Sequence, residues 1–298
     1  MNTSNAFEAL DIDRLREWIG REQEARDTVT PRLIAELNSC FEEAWSPGAA
    51  DLSGSLPGLH WCLTPDIPGL ASLDADGHVA RGGFLPPVPL PHRLWAGGRL
   101  EIFDRMHEGD EVRRLSTVQD VTLKEGRSGP LCFVTVRHEY TTSRGRALTE
   151  RQDIVYRDHT RNDGTSNRGT KNGTAAGKAS REKPMPKFSK MITAGPVCLF
   201  RYSALTFNGH RIHYDSDYCR AQGYPGLLIH GPLQATLLLR CAASIRDGES
   251  PRVFDYRAAR PLFAGTDFSI NAAEHPEGLE LWTEDVHGNT AMTARASW

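Results

Sequence analysis

The same order of strands and turns occurs twice along this 298-residue chain, and that repeat limits the fold more than any other feature. Residues 133–140 and 148–156 are rich in β-branched and aromatic residues and flank a Gly-containing turn, which predicts a hairpin. Residues 279–286 and 290–298 repeat that hairpin in the second half. Upstream of each hairpin, another strand reaches a glycine turn and returns as a strand. The sequence therefore predicts a duplicated α+β unit, in which a helix covers one face of an antiparallel sheet.

The clearest helix signal lies in the second half and begins at Gly231. Pro232 suits the first helical turn, because its missing N–H would have no partner there. Apolar residues then recur at helical spacing from Leu233 to Cys241, which predicts a buried helix ending near residue 246. A shorter helix is predicted in the first half from residue 30.

The two units are separated by a stretch that cannot form a core. Residues 162–181 contain no apolar side chain larger than Ala, so folding them would not offset the loss of chain entropy. We therefore predict a degenerate N-terminal domain at 1–159, a flexible linker at 160–190 and a catalytic C-terminal domain at 191–298. The basic residues around the linker are most simply a solvated tether, and a contact with a phosphorylated ligand is the weaker alternative.

Composition excludes several functional classes. The 35 Lys and Arg residues nearly balance the 38 Asp and Glu residues, so the chain lacks the positive charge of a dedicated nucleic-acid binder. No apolar run approaches the length of a membrane span, and residues 1–10 show no secretory signal, so we expect a cytoplasmic protein. The six cysteines form no CxxC pair, which argues against a disulfide framework or a zinc knuckle.

The glycine pairs and most histidines show no binding motif. Gly82–Gly83 and Gly97–Gly98 lack the Walker pattern and the strand–GxGxxG–helix setting, so they predict tight turns. Eight histidines lack metal-ligand spacing, and we expect no bound metal. These residues are predicted to lie on the surface or in the core: His60, His78, His92, His107, His138, His159, His275 and His287.

Titratable and polar side chains crowd into one short stretch of the second half. Asn208, His210 and His213 lie close together, and His230–Gly231 opens the buried helix soon afterwards. A helix start directs unpaired N–H groups and a partial positive charge outward, so Gly231 is placed to hold a developing oxyanion. A neutral histidine nearby could move a proton.

This stretch resembles the MaoC-like, or type 2, hydroxyacyl-thioester dehydratase and hydratase family. That family carries the pattern Asp-x-Asn-Pro-Leu-His, followed by a His-Gly pair at the start of the central helix of a hot-dog fold. Alignment on His213 puts Asn208 at the acidic position, His210 at the family's Asn and Arg211 at the family's Pro.

Asn208 is a departure from the family pattern, because an amide cannot accept a proton as a carboxylate does. General-base duty would pass to His213, with Asn208 orienting a water or a carbonyl and Asp215 as an outside candidate for a supporting carboxylate. For His230, a capping or packing role competes with ligand contact. The resemblance implies these catalytic residues: His213, Asn208 and Gly231. It implies these substrate-binding residues: His210, His230, Arg211, Trp95 and Arg93.

The first half narrows the resemblance. Residues 81–100, 124–131 and 152–157 resemble the two-domain subgroup that acts on mesaconyl-C4-CoA (3-methylfumaryl-CoA) and itaconyl-CoA. The subgroup implies a double hot-dog fold, with two helix-wrapped antiparallel sheets forming a pseudo-dimer around the acyl-CoA. The first half would supply the acyl pocket, and three residues are candidates either for its lining or for the core: Phe84, Leu94 and Trp95.

The implied activity is a hydro-lyase that adds or removes water across the C=C bond of a short, branched dicarboxylic enoyl-CoA. Such a reaction needs a base, a proton for the α-carbon and donors for the thioester oxygen, so we expect no cofactor besides the coenzyme A of the substrate. An acyl carboxylate would need a cationic partner, for which the candidates are Arg93, Arg99, Arg211 and Arg260. Three alternatives stay open: a fatty-acid type 3-hydroxyacyl-thioester dehydratase, an acyl-CoA thioesterase, and a non-catalytic acyl-CoA binding protein. The oligomeric state is also open, with a homodimer as one option.

Overall fold

The computed structural model describes residues 10–41, 57–126, 129–158 and 184–298. The helices in these ranges are α1 (Ile12–Arg16), α2 (Pro31–Asn38), α3 (Pro196–Leu205), α4 (Ser216–Ala221) and α5 (Gly231–Ile245). The strands of the first half are β1 (Glu22–Thr28), β2 (His92–Ile102), β3 (Glu111–Gly126), β4 (Gly129–Thr142) and β5 (Gly145–Arg157). Those of the second half are β6 (Phe188–Thr193), β7 (Val253–Ala258), β8 (Asp267–His275), β9 (Gly278–Asp285) and β10 (Thr290–Ser297).

All of these strands belong to one antiparallel sheet. Their order is β1-β3-β4-β5-β2-β7-β10-β9-β8-β6, so each half contributes five neighbouring strands and the second half mirrors the first. The predicted hairpins are confirmed as β4–β5 and β9–β10. The duplication inferred from the sequence is thus a pair of five-stranded halves joined edge to edge.

The joint between the halves is the pairing of β2 with β7. It runs from Gly97 opposite Arg257 to Glu101 opposite Val253, while the other edge of β2 pairs with β5. The prediction of a tight turn at Gly97–Gly98 is wrong, because both residues lie inside β2 just after a register shift. A Cβ on Gly98 would overlap the carbonyl oxygen of Arg151 and the hydroxyl of Tyr256. These glycines are required by close packing at the joint.

Helix α5 packs against the second-half sheet and fills the core of that half. Eleven of its fifteen residues are buried, and it packs against strands β8, β9 and β10. The prediction of a buried helix from Gly231 is confirmed. In the first half, α2 is capped by Thr30, whose Oγ1 accepts a hydrogen bond from the Leu33 N–H at 3.1 Å, and the helix packs beside α3.

The inner face of the first-half sheet is covered differently. Cys132, Val134 and Val136 of β4 form a buried cluster with Leu15 of α1 and Val88. A cavity lies against this cluster and also against the start of α5, because it is lined by Val136 and by the first residues of that helix. The first half thus offers space to a ligand where the second half is filled by a helix.

The linker predicted at 160–190 lies mostly outside the described residues. Its end is wrong, because β6 begins at Phe188, which pairs with Ala272 and returns the chain to the sheet. Among the helices that the structure describes, none combines the length and the apolar character that crossing a membrane would require.

The joint gives a stability prediction. Gly98→Ala should lower the free energy of unfolding by about 2–3 kcal/mol, because the added methyl group must displace backbone or an aromatic ring in a packed interior. Gly83→Ala is the matched control, since a Cβ there meets no atom within 4 Å. Urea unfolding followed by circular dichroism measures both. Equal stability of the two variants would contradict the packing described for the joint.

Candidate functional site

A cavity of about 1040 Å³ lies between the two halves. Its walls come from β2 to β5, from a turn around residue 78, from residues 207–214 and from the first residues of α5. The predicted lining candidates Phe84, Leu94 and Trp95 all border it. Six of the predicted site residues border it as well: Arg93, Trp95, Asn208, His210, His213 and Gly231.

His213 ends a 3-10 turn and borders the cavity while only 7% of its surface is exposed. Its Nδ1 atom lies 2.8 Å from the carbonyl oxygen of Leu228. Because a carbonyl oxygen can only accept a hydrogen bond, Nδ1 must carry the proton and Nε2 is the nitrogen with a free lone pair. The carbonyl of Leu228 therefore selects the tautomer of His213 in which Nε2 can accept a proton.

Burial keeps His213 neutral. Desolvation lowers the pKa of its imidazole to about 4, against the opposing effect of the hydrogen bond to Leu228. The ring also stacks on His230, with centroids 3.5 Å apart. At neutral pH, His213 is therefore a base without charge.

His230 does not border the cavity, which favours the packing role over contact with substrate. His230 is fully buried behind His213, and its Nε2 lies 2.8 Å from the Ser203 hydroxyl oxygen. It is the residue that precedes α5, and its ring packs edge-on against Tyr202. Its contribution is to support the His213 ring.

The start of α5 offers backbone donors to the cavity. No side chain caps this helix within the described part of the chain, and Pro232 has no N–H, so the Gly231 N–H stands at the cavity wall. A Cβ on Gly231 would come within 2.7 Å of the Trp95 ring, so glycine is needed at this place. Trp95 is itself fixed by stacking on Tyr256, with centroids 4.5 Å apart.

Asn208 and His210 form a short turn at the cavity. The Oδ1 atom of Asn208 accepts a hydrogen bond from the His210 N–H at 3.0 Å. Asn208 thus uses its carbonyl oxygen within the turn. Desolvation, together with the neighbouring His78, lowers the pKa of His210 to about 2, so this ring is neutral as well.

Arg211 is not among the residues that border the cavity, and its assignment as a substrate-binding residue stays a prediction. Its guanidinium pairs with Asp215 at 2.8 Å, donates to the carbonyl of Ala75 at 3.1 Å and lies over the ring of Tyr218. Asp215 also caps α4 by accepting a hydrogen bond from the Tyr218 N–H. Both side chains are therefore occupied in holding α4, and Asp215 is not placed to support His213.

The structure reduces the number of arginines that could pair with an acyl carboxylate. Arg99 pairs with Asp255 at 2.7 Å and with Glu101 at 3.2 Å, away from the cavity. Arg93 and Arg260 border the cavity. Two further arginines that the sequence did not single out also border it: Arg114 and Arg157.

The sequence missed a pair of residues contributed by the first half. Asp76 accepts two hydrogen bonds from His78, one from its N–H and one from its Nδ1, both at 2.9 Å. His78 borders the cavity with its ring centroid 4.0 Å from that of His210, so its assignment to surface or core was wrong. An acid two residues before a histidine in a turn is the signal that could have indicated this pair.

Asp76 and His78 lie close enough to His210 for the three residues to be considered as metal ligands. Asp76, His78 and His210 offer ligand atoms within 4.8 Å of one another. The hydrogen bond between Asp76 and His78 already occupies one such atom of each residue. We therefore describe Asp76 and His78 as a hydrogen-bonded pair.

A buried carboxylate also borders the cavity, and the sequence gave no sign of it. Glu150 is 2% exposed and accepts hydrogen bonds from the indole of Trp61 at 3.0 Å and from the Tyr256 hydroxyl at 2.9 Å. Desolvation raises the pKa of Glu150, while both hydrogen bonds oppose that shift. Its donors lie on opposite sides of the joint, so Glu150 links the two halves.

The chain is similar to known proteins along most of its length. Residues 58–264 match the family model described as hydroxyacyl-thioester dehydratase type 2. The mesaconyl-C(4)-CoA hydratase of Chloroflexus aurantiacus is 36% identical over 286 residues, which cover 93% of this chain and 95% of that protein.

Two solved structures show the fold. A MaoC-like dehydratase from Phytophthora capsici superimposes with a TM-score of 0.67 at 14% identity, covering 97% of this chain and 99% of that one. A Mycobacterium tuberculosis protein described as a double hotdog fold gives a TM-score of 0.53 at 13% identity, covering 93% and 95%. The predicted double hot-dog fold is confirmed.

The state of His213 can be measured directly. In ¹⁵N-histidine NMR spectra, the signals absent from a His213→Gln variant should show a neutral ring protonated on Nδ1 at pH 7. They should titrate with a pKa of about 4, because burial penalises the charged ring. The urea-unfolded chain is the reference, where histidine titrates at about 6.5. A midpoint near 6.5 in the folded chain would contradict the burial described for this ring.

Proposed function

Because the chain belongs to the type 2 hydroxyacyl-thioester dehydratase family, we propose that it hydrates a short, branched dicarboxylic enoyl-CoA of the mesaconyl-C4-CoA type. The chain is a hydro-lyase. The observation that carries the proposal is the convergence of the neutral His213 imidazole and the Gly231 N–H on one cavity. In this proposal, His213 is the general base and acid, and the Gly231 N–H is the oxyanion donor.

The chemistry balances with these groups. A water gives one proton to His213 Nε2 while its oxygen bonds to the β-carbon, and the electrons of the C=C bond move toward the thioester oxygen. The Gly231 N–H and the partial positive charge at the start of α5 stabilise the resulting enolate. The imidazolium then returns the proton to the α-carbon. Dehydration follows the same steps in reverse, and the coenzyme A of the substrate is the only cofactor that the steps require.

The name of the Chloroflexus relative supports a dicarboxylic acyl group. In 3-methylfumaryl-CoA the free carboxylate is attached to the C=C bond, so its cationic partner must lie close to the catalytic histidine. Arg93 is the candidate for this partner, because it borders the cavity and acts electrostatically on His78 and His210, and the His210 ring lies 5.5 Å from the His213 ring between centroids. We assign the carboxylate to Arg93 because a buried carboxylate without a partner would be costly.

A second candidate function is dehydration of longer 3-hydroxyacyl thioesters. The cavity volume of about 1040 Å³ favours it, because a five-carbon acyl group fills a small part of that space. The wall at Phe84, Leu85 and Ile154 is apolar, as a hydrocarbon chain would require. The two candidates differ in what fills the cavity, which is either the pantetheine arm or the acyl chain.

A panel of CoA esters separates these functions. Mesaconyl-C4-, crotonyl- and longer 2-enoyl-CoA are followed by the loss of ultraviolet absorbance at the conjugated bond, and itaconyl-CoA by product chromatography. We expect kcat/KM to be highest for mesaconyl-C4-CoA. Highest activity on long chains would favour the second candidate. Free CoA released in step with acyl loss would indicate a thioesterase, and binding without turnover would indicate a non-catalytic protein.

In the same assay, His213→Ala should lower kcat by about 10³-fold and change KM by less than about threefold, since the imidazole acts mainly in the transition state. Asn208→Asp is the companion variant, because it restores the carboxylate of the family pattern. It should keep kcat within about tenfold of the wild type if the side chain at 208 orients the water. An active His213→Ala protein would contradict the assignment.

The specificity prediction concerns Arg93. Arg93→Gln should lower kcat/KM for mesaconyl-C4-CoA by about 100-fold, because the acyl carboxylate loses its partner. Crotonyl-CoA has no such carboxylate and should change by less than about threefold. Arg114→Gln is the matched control in the same cavity. The same selective loss in Arg114→Gln, with Arg93→Gln unaffected, would place the carboxylate at Arg114 instead.

A further inference from the structure

The attacking water can use a second hydrogen-bond acceptor in the site besides His213. A water attacking the C=C bond is best held through both of its hydrogens, one passed to the base and one bound by a second acceptor. Asn208 stands where the family pattern has a carboxylate, but its Oδ1 atom accepts the His210 N–H. That oxygen keeps a second lone pair, but a neutral amide is a weaker acceptor than a carboxylate, so another acceptor at the cavity would hold the water more firmly.

His78 is a neutral acceptor at this cavity. Its Nδ1 carries the proton that is donated to Asp76, so Nε2 holds the free lone pair. Its ring borders the cavity beside His210, which in turn lies 5.5 Å from His213 between ring centroids. Two imidazoles with unprotonated Nε2 atoms, one from each half of the chain, thus flank His210.

The turn that carries His78 is fixed in place. The Asp74 N–H donates to the carbonyl of His78 at 2.8 Å, and Leu73 bridges to Val79, which closes the turn. The carbonyl of Asp76 accepts the Arg211 N–H at 2.9 Å and so ties the turn to the second half.

Close backbone contact adds to this docking. A Cβ on Gly77, whose φ is +89°, would overlap the carbonyl oxygen of Gly209. Only glycine allows the two backbones to approach this closely. The turn is thus preorganised against the segment that carries His210 and His213.

From this placement we propose that the Asp76–His78 pair is a second acid–base element of the active site, with His78 Nε2 accepting the second hydrogen of the attacking water. This inference rests on the proposed hydratase function. One proton leaves water for His213 as the C–O bond forms and is then delivered to the α-carbon, while His78 holds the hydrogen that stays on the oxygen. Both imidazoles end neutral, so the addition of H and OH balances.

The charges around His78 explain why a carboxylate is needed there. Burial lowers the pKa of His78, and the positive charges of Arg93 and Arg81 add to that effect. Asp76 opposes them through the hydrogen bond and its negative charge, and the ring of His210 is neutral. Asp76 thus fixes the tautomer of His78 and keeps the ring basic enough to hold a water hydrogen.

Two substitutions at His78 separate an acceptor from a structural ring. His78→Phe keeps an aromatic ring beside His210 but removes the acceptor, so kcat for the preferred CoA ester should fall by about 100-fold. His78→Gln keeps an acceptor oxygen and should stay within about tenfold of the wild type. If the ring served packing alone, the order would be reversed, with Phe tolerated better than Gln.

Asp76→Asn provides a readout that a structural role would not move. Catalysis needs His78 unprotonated, so kcat/KM falls as the pH drops through the pKa of His78. Removing the carboxylate lowers that pKa, so the acid limb of the pH profile should shift to lower pH while kcat falls by about tenfold. Asp13→Asn makes the same chemical change at an exposed position of α1 and should leave both the limb and kcat unchanged.

The outcomes distinguish this inference from the proposed function. If the wild type hydrates none of the CoA esters, the proposed function fails and the inference falls with it. If the wild type is active but His78→Phe retains full kcat with an unshifted acid limb in Asp76→Asn, the inference alone is overturned. Loss of activity on dialysis against EDTA, with recovery on adding Zn²⁺, would also overturn it, because the pair would then hold a metal. Thermal melting of each variant identifies any loss of folding.

Discussion

Backbone pairing between β2 and β7 holds the two halves in one sheet, and the cavity depends on that pairing. It brings Trp95 of the first half onto Tyr256 of the second and against Gly231 at the start of α5. Glu150 reinforces the joint by accepting hydrogen bonds from Trp61 and Tyr256. The two halves have different roles, since the second half is filled by helix α5 and the first half leaves room for a ligand.

Burial does the chemical tuning in this site. His213 sits among apolar and aromatic groups, so its ring stays neutral and its lone pair is available at neutral pH. The carbonyl of Leu228 selects the tautomer without adding a full charge. His78 is also buried, but there a carboxylate opposes the effect of burial and of two nearby arginines on the pKa of the ring. Under the proposed function, these histidines can accept a proton or hydrogen bond because they carry no charge at rest.

The sequence predicted the features that depend on local pattern. Hairpins follow from alternation and turn residues, and α5 follows from Pro232 and the helical spacing after it, so both were found. A motif holds His213 and Gly231 close along the chain, and the prediction that both lie at one cavity is confirmed. The Asp76–His78 pair was missed, because its partners at Gly209 and Arg211 lie more than a hundred residues away and only the fold brings them together. The sequence also did not indicate that Arg211 and His230 lie outside the cavity lining, for a related reason. The direction of a side chain in an irregular segment is set by packing, here against Asp215 and Ser203.

We propose that the thioester binds in this cavity with its oxygen at the start of α5 and its C=C bond beside His213. A crystal structure with the saturated analogue of mesaconyl-C4-CoA, which cannot be hydrated, tests it most directly. We expect the thioester oxygen to lie within about 3 Å of the Gly231 nitrogen and the β-carbon to face a water bound by His213 Nε2. A thioester bound outside the cavity, or with its carbonyl turned away from Gly231, would contradict it.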